Sequence, residues 1–456
     1  MRRVVKVSRI RIIITIIVVV LTTLLTGCTG KEPNEIAYVV ALGIDSTDDD
    51  NYKITIQYAN TTQISGGASE SGGKAGSEIV DNVTIEAPNI YAGVGLANNI
   101  VSKSFSMSHA KLIVFSKEIA EKGVKDMIET LVRSEEIRPD VFIAVANTTA
   151  NDYLTSVNPE MEVNPAQYYQ LIYQKNQLVG IPDGQLREFF TGLYTDNYDS
   201  ILPVAGVIEG SGGNSQNDDK GQSKDGQNEG SEGSSESLDS FESKSSNEKD
   251  ENEQEKDAEK NTSKYEYDIK NYVGGETAIE KKNKAEAIGA AVFEKDKMVG
   301  ELGEVETEIC KMLKGDYTYS YLTYYNNDTP DIPITVKTTQ QKKPKYKIDS
   351  DKKTVDIELY IESDLYSLPA DYNVENKIED FERDVANYTS SACTEFINNF
   401  TKKYNSDILK LNEKIKYKFL TNNQYNWFKK NVGWSEYKFS VCTNFKVRRT
   451  GLIVRE

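Results

Sequence analysis

Between Ser211 and Lys264 the chain reads SGGNSQNDDKGQSKDGQNEGSEGSSESLDSFESKSSNEKDENEQEKDAEKNTSK, in which only Leu238, Phe241 and Ala258 are apolar. Fifteen acidic side chains stand against seven basic ones, a net of −8 within a chain of net charge −17. Such a stretch has too little apolar surface to offset the entropy of ordering its backbone, so it is expected to be a disordered acidic tether. As a flexible coil it would span about 40 Å root mean square. Folded structure must therefore lie on either side of it. The expected division is 1–27, 28–208, 209–264 for the insert, and 265–456, with both long blocks large enough for real cores. A shorter Gly/Ser run, Ser65–Ser77, reads as an exposed loop.

At the N-terminus Arg2, Arg3, Lys6, Arg9 and Arg11 precede an uncharged run of 14 residues, Ile12–Leu25. A basic head before a short apolar run is the layout of a secretory signal peptide. A helix that crosses the hydrocarbon core needs about 20 residues, so a permanent span is the weaker reading. The run ends at Leu25-Thr26-Gly27-Cys28, which is similar to the lipobox of bacterial lipoproteins. Cleavage before Cys28 would leave its sulfur, carrying a diacylglycerol, as the first residue of the mature chain. Two or more acyl chains hold a protein on a membrane where one does not.

The acidic balance argues against a nucleic-acid footprint, which requires a basic patch. It also argues against broad attraction to an anionic bilayer, leaving the anchoring to the lipid. Cys310, Cys393 and Cys442 show no Cys-x-x-Cys spacing. Three buried free thiols are expected in preference to one disulfide.

Hydrophobic periodicity predicts mixed α and β structure in both blocks. IAYVVALGI followed by DSTDDDN and YKITIQY reads as a hairpin, and Glu118–Arg133 as one amphipathic helix leading into a buried strand, DVFIAVA. Beyond the tether, GAAVFEKDKMVGEL reads as a hairpin and EVETEICKMLKG as a helix closed by Gly315. TVDIELYIES is a strand with Val355, Ile357, Leu359 and Ile361 on one face. A long helix comes next, with Ile378, Phe381, Val385, Tyr388, Cys393, Phe396 and Phe400 at helical spacing, and the closing strand is YKFSVCTNFKVRR. The fold class is therefore α+β, in two mixed sheet-and-helix lobes joined by the acidic insert.

No arrangement of residues announces catalysis. The one histidine, His109, cannot build a histidine-rich metal site, and there is no Gly-x-Ser-x-Gly elbow; a structural role is expected of it. Gly67–Ala75 lacks the spacing and the Ser/Thr of a phosphate-binding loop. Asp45, Asp48, Asp49 and Asp50 lack the alternate-residue ligands of a calcium loop and are expected to form a solvated turn. Tyr317, Tyr319 and Tyr321 alternate as one strand face would. No cofactor is expected beyond the covalent lipid on Cys28.

The ordered pieces resemble the Ger(x)C family, the lipoprotein C subunits of the nutrient germinant receptors of bacterial endospores. They are the lipobox at Cys28; EIAYVVALGIDSTDDDNYKITIQ; MSHAKLIVFSKEIAEKGVKDMIETLVRSEEIRPDVFIAVA, with His109, Gly123, Arg133, Arg138 and Pro139; and LREFFTGLYTDNYDSILPVAGV, with Pro203. Beyond the insert come GAAVFEKDKMVGELGEVETEICKMLKG, with Gly289, Glu306 and Gly315, then YNSDILKL, with Asp407, and VGWSEYKFSVCTNFKVRRTGLI, with Trp434 and Gly451. The resemblance implies three subdomains, two of them before the tether. It further implies a non-enzymatic subunit on the outer face of the spore's inner membrane, beside an integral A subunit and a permease-like B subunit. From a different class, the competing expectation is a solute-binding lipoprotein of a transporter, which requires a defined cleft.

Overall fold

Strand β1 (Ile36–Ser46) is buried along nearly its whole length, as an uninterrupted apolar run requires of a strand covered on both faces. It pairs antiparallel with β2 (Tyr52–Ala59), with Ile44 opposite Ile54 and Leu42 opposite Ile56, and β2 pairs in turn with β3 (Val80–Ala87). Helix α1 (Ile90–Ala97) comes next, its first turn capped by the Asn89 side chain, which accepts from the Ala92 amide at 2.9 Å. β4 (Ser104–Ser106) and β5 (Leu112–Ser116) both run parallel to β1. The computed structural model describes residues 14–17, 35–49, 51–59, 80–158, 162, 164–174, 180–195, 197–208, 271–277, 284–326, 329–367, 377–404 and 406–450. The expected lipobox Leu25–Cys28, the Gly/Ser run Ser65–Ser77, Gly67–Ala75 within it, and the acidic segment lie outside these residues.

The helix expected over Glu118–Arg133 is two helices, α2 (Lys117–Lys122) and α3 (Lys125–Val132). Gly123 separates them with φ +124°, a backbone conformation that side-chain-bearing residues rarely adopt. The break frees the Val124 amide to donate to the Asp296 carbonyl at 3.0 Å. β6 (Phe142–Ala146) then pairs parallel with β5, and helices α4 (Ala150–Ser156), α5 (Pro165–Gln174) and α6 (Leu186–Thr195) lead to β7 (Ile201–Val207), parallel to β6.

The sheet does not stop where the acidic segment begins. β8 (Ala285–Glu294), which comes after that segment in sequence, pairs antiparallel with β7, and Val207 stands opposite Ala285. β9 (Lys297–Leu302) pairs with β8 as the expected hairpin. The insert therefore joins neighbouring strands of one sheet, whose order is β3-β2-β1-β5-β6-β7-β8-β9 with β4 on β1. One face of the sheet is filled by Leu42, Ile44, Phe115, Ile128, Phe189 and Phe293. On the other, Tyr153 and Tyr173 share a hydroxyl hydrogen bond of 2.9 Å, and burial drives the Tyr153 hydroxyl well above its ordinary range.

Helix α7 (Glu304–Lys314) starts with Glu306 reaching back to the Gly303 amide at 3.0 Å and ends at Gly315, left-handed at φ +85°. The second sheet holds β10 (Tyr319–Asn326), β11 (Thr329–Gln340), β12 (Lys345–Asp349), β13 (Thr354–Ser367) and β14 (Lys438–Arg449). β14 runs parallel along one edge of β13, while β11 and β12 share its other edge. Val355, Ile357, Leu359 and Ile361 are buried, and the first three share a core with Cys393, Phe396 and Phe400 of helix α8 (Ile378–Tyr404). Ile201, Ala290, Val292 and Leu302 of the first sheet belong to this same second core, so the lobes share apolar contacts.

Cys310 and Cys393 are buried free thiols, as expected, but Cys442 is exposed. It occupies an outward position of β14, between the buried Val441 and Thr443.

Candidate functional site

The most elaborate polar junction of the described residues lies where the two lobes meet. The loop from α6 to β7 approaches the turn after α8, and the two exchange hydrogen bonds. The Asp199 amide donates to the Asp407 carbonyl at 3.1 Å, and the Asp407 amide donates to Asp199 Oδ2 at 2.9 Å. The Asp407 carboxylate accepts from the Leu411 amide at 2.8 Å and the Asn412 amide at 2.7 Å, fastening the start of α9 (Leu411–Ile415). Burial pushes the Asp407 carboxyl up to about 7, with Asp199 adding to it and the two amides and Lys414 opposing it.

Asn412 ties this turn to two aromatic residues further along the chain. Its side-chain oxygen accepts from Trp434 Nε1 at 3.1 Å and its carbonyl from the Tyr425 hydroxyl at 3.2 Å. Lys410 stands at φ +57° and places its Nζ 3.4 Å from Glu188 and 4.2 Å from the centre of the Tyr198 ring. Tyr198 in turn donates to the Glu188 carbonyl at 2.9 Å.

Tyr198 and Asp199 line two cavities. One, of about 390 Å³, is bounded also by Asp183, Glu188, Lys311 and Lys314. The other, of about 490 Å³, is bounded by Glu294, Asp407, Asn412 and Trp434. Lys311, its ammonium brought down to about 8 by burial, donates to the Ile181 carbonyl at 3.0 Å, and Lys314 pairs with Asp316 at 3.4 Å. Glu308, one turn before Lys311 on α7, is pushed up to about 7 by burial and accepts from the Tyr317 hydroxyl at 3.3 Å. The Asp199–Asp407 exchange, the Lys410–Glu188 pair and the bond from Lys311 to the Ile181 carbonyl fasten one lobe to the other.

His109 stacks edge-on against Tyr38 at 4.9 Å, with its Nδ1 3.0 Å from Ser108 Oγ. Among the described residues no group of three or more His, Cys, Asp or Glu side chains could hold a metal ion. Asp45 does not belong to a solvated turn: it is buried at the end of β1, and its carboxylate accepts from the Ala150 and Asn151 amides at 2.6 and 3.0 Å, capping α4. Asp48 and Asp49 are exposed. The tyrosine row also divides, because Tyr317 is buried before β10 begins and bonds Thr338, whereas Tyr319 and Tyr321 pack edge-to-face at 6.4 Å on its outer side. Leu25, Thr26, Gly27 and Cys28 lie outside the described residues. Among the described residues no helix is long and apolar enough to cross a membrane.

The family positions Asp407 and Trp434 thus meet through Asn412, and the Gly289 amide on β8 donates to the Gly180 carbonyl at 2.8 Å. No local pattern in the sequence singles out Asp199, Tyr198, Lys410 or Asn412, since each gains its role from a partner that only the fold brings near.

A mixed α+β body with two sheets and a shared seam is the class of protein these features define. Residues 30–207 match the family model described as spore germination protein N-terminal domain, and residues 288–451 that described as spore germination B3/GerAC like, C-terminal. The chain belongs to the Ger(x)C family of spore germination proteins. Spore germination protein KC of Bacillus subtilis (strain 168) is 26% identical over 174 residues, covering 35% of this chain and 42% of that protein. The putative spore germination protein YfkR of the same strain is 28% identical over 145 residues, covering 32% of this chain and 37% of that protein. The matched region thus spans less than half the length of either relative. The crystal structure of the GerBC protein is similar over 89% of this chain and 96% of that one, at 15% identity and a TM-score of 0.47.

Proposed function

We propose that this chain is the lipid-anchored, non-catalytic subunit of a nutrient germinant receptor, held by diacylglycerol on Cys28 at the outer face of the spore inner membrane. The observation that carries the reading is the presence of both family domains in order, 30–207 and 288–451, directly after Leu25-Thr26-Gly27-Cys28, a stretch similar to a lipobox. The body docks on the extracytoplasmic loops of an integral A subunit and a permease-like B subunit and helps convert nutrient binding into ion release. The seam at Asp199 and Asp407 suits such a coupling part, because a load on one lobe is passed to the other through a shared core and reciprocal hydrogen bonds.

The test is germination of spores carrying a deletion or a Cys28→Ala allele, scored by dipicolinate release. Nutrients and a trigger that bypasses nutrient receptors are applied separately. Both strains are expected to lose the nutrient response and keep the bypass response. Normal nutrient germination in both would overturn the reading.

A further inference from the structure

One stretch departs from the acid balance of the chain. Residues 410–431, KLNEKIKYKFLTNNQYNWFKKN, hold six lysines and a single glutamate in a protein of net charge −17. The same stretch exposes large apolar side chains. Tyr417 and Leu420, 91% and 94% exposed, are the two most exposed large apolar residues among the described residues, and Trp427 is 63% exposed.

Their exposure is built into the packing. Helix α10 (Asn422–Asn431) buries Tyr425 and Phe428, so Trp427 and, one turn on, Lys430 are turned outward. Phe419 packs against both buried rings, 5.8 Å from Tyr425 and 5.2 Å from Phe428. That contact fixes the short turn Lys416–Lys418 and Leu420 beside the helix. Thr421 caps the helix, its hydroxyl accepting from the Gln424 amide at 3.3 Å. Lys416 and Lys429 lie over the Tyr425 ring at 5.8 and 5.0 Å, which holds their stems along the surface.

Trp and Tyr rings favour the headgroup level of a bilayer, a leucine reaches the acyl boundary, and lysines at that depth meet anionic headgroups. We propose that residues 416–430 form a membrane-facing patch that seats on an anionic lipid surface. This rests on the membrane-anchored reading above and adds a second point of contact to it. A lipid chain alone leaves the body free to swivel, whereas a second contact fixes which face is turned toward partner loops.

The chain has only two tryptophans, Trp427 and the buried Trp434, which makes the patch its own reporter. The full lipidated protein would be reconstituted in vesicles of phosphatidylcholine alone or with phosphatidylglycerol, with and without brominated acyl chains. The Trp427 signal is the difference between wild type and Trp427→Phe. With phosphatidylglycerol, bromolipid is expected to quench that signal by about half or more. Phosphatidylcholine alone or Lys416→Glu/Lys430→Glu should reduce the quenching at least about two-fold. Protein that floats with the vesicles but shows no quenching would overturn the patch and leave the anchor standing. Equal quenching in both lipids would overturn the anionic assignment. Shielding of Trp427 from aqueous iodide only when a receptor partner is added, without lipid quenching, would replace the bilayer by a protein. No flotation with either vesicle would overturn the patch and the anchored reading together.

Discussion

Asp199 and Asp407 hold each other through two reciprocal hydrogen bonds: the amide of Asp199 donates to the carbonyl of Asp407, and the amide of Asp407 returns a bond to the Asp199 carboxylate. The reciprocal pair joins a loop before β7 to the turn after α8, and with it the two halves of the family match. Removing the acceptor in Asp199→Ala leaves the part-buried Asp407 amide without this partner, a loss of about 1–2 kcal/mol. Hydrogen exchange should show the Asp407 amide losing protection by about ten-fold or more while β1 and β5 amides change little. Unchanged protection at Asp407 would mean that the pair contributes nothing to the seam.

Asp407 should also make stability depend on pH. Its carboxyl titrates at about 7 when folded, chiefly through burial, against about 3.9 in an unfolded chain. The folded state therefore binds the extra proton between those values. The contribution is fully present below about pH 4 and is lost as pH rises through about 7. Between about pH 6 and 8 the fall is about 1 kcal/mol. Thermal unfolding of wild type at these two pH values should show this fall, and Asp407→Asn should flatten it, with lower stability at the more acidic one. Glu308, shifted in the same direction by burial, leaves a residual slope.

Trp434→Phe removes the donor that answers Asn412 Oδ1 while keeping an aromatic ring in the second core. The expected loss is about 1–3 kcal/mol in a denaturant titration. An equal loss in Asn412→Ala, with no further loss in the double variant, would show that one bond accounts for both.

Two glycines should respond in opposite directions. Gly289 sits at φ +84°, and an added Cβ would lie 2.6 Å from the Leu302 carbonyl oxygen, so Gly289→Ala should cost about 2 kcal/mol or more. Gly95 lies in α1, where an added Cβ would meet nothing within 4 Å. Gly95→Ala should raise stability by about 0.5–1 kcal/mol, read in the same melting experiment.

The three downstream thiols should separate by reactivity. Burial pushes the Cys310 and Cys393 thiols up to about 12, while Cys442 is exposed. Iodoacetamide on the native protein should modify Cys442 first. Cys310 and Cys393 should react only when denaturant is added, with peptide mass spectrometry as the readout.

Local pattern in the sequence determined most of the elements. The β1–β2 and β8–β9 hairpins, the α7 helix closed by Gly315, the inward face of β13 and the long α8 all arise from apolar spacing and turn chemistry, which act between residues close in the chain. Tertiary structure alone decided three other features. It turned a boundary drawn at the acidic insert into a pairing of β7 with β8, because strand pairing depends on which edges meet and carries no mark in the intervening residues. Asp45 became the cap of α4 instead of a solvated aspartate, since its partners, Ala150 and Asn151, lie more than a hundred residues away. The seam itself depends on the two amides, the Asp407 carbonyl and the Asp199 carboxylate, polar groups of kinds found all along the chain. Their side chains signal a turn in sequence; only the approach of two distant loops makes them a junction.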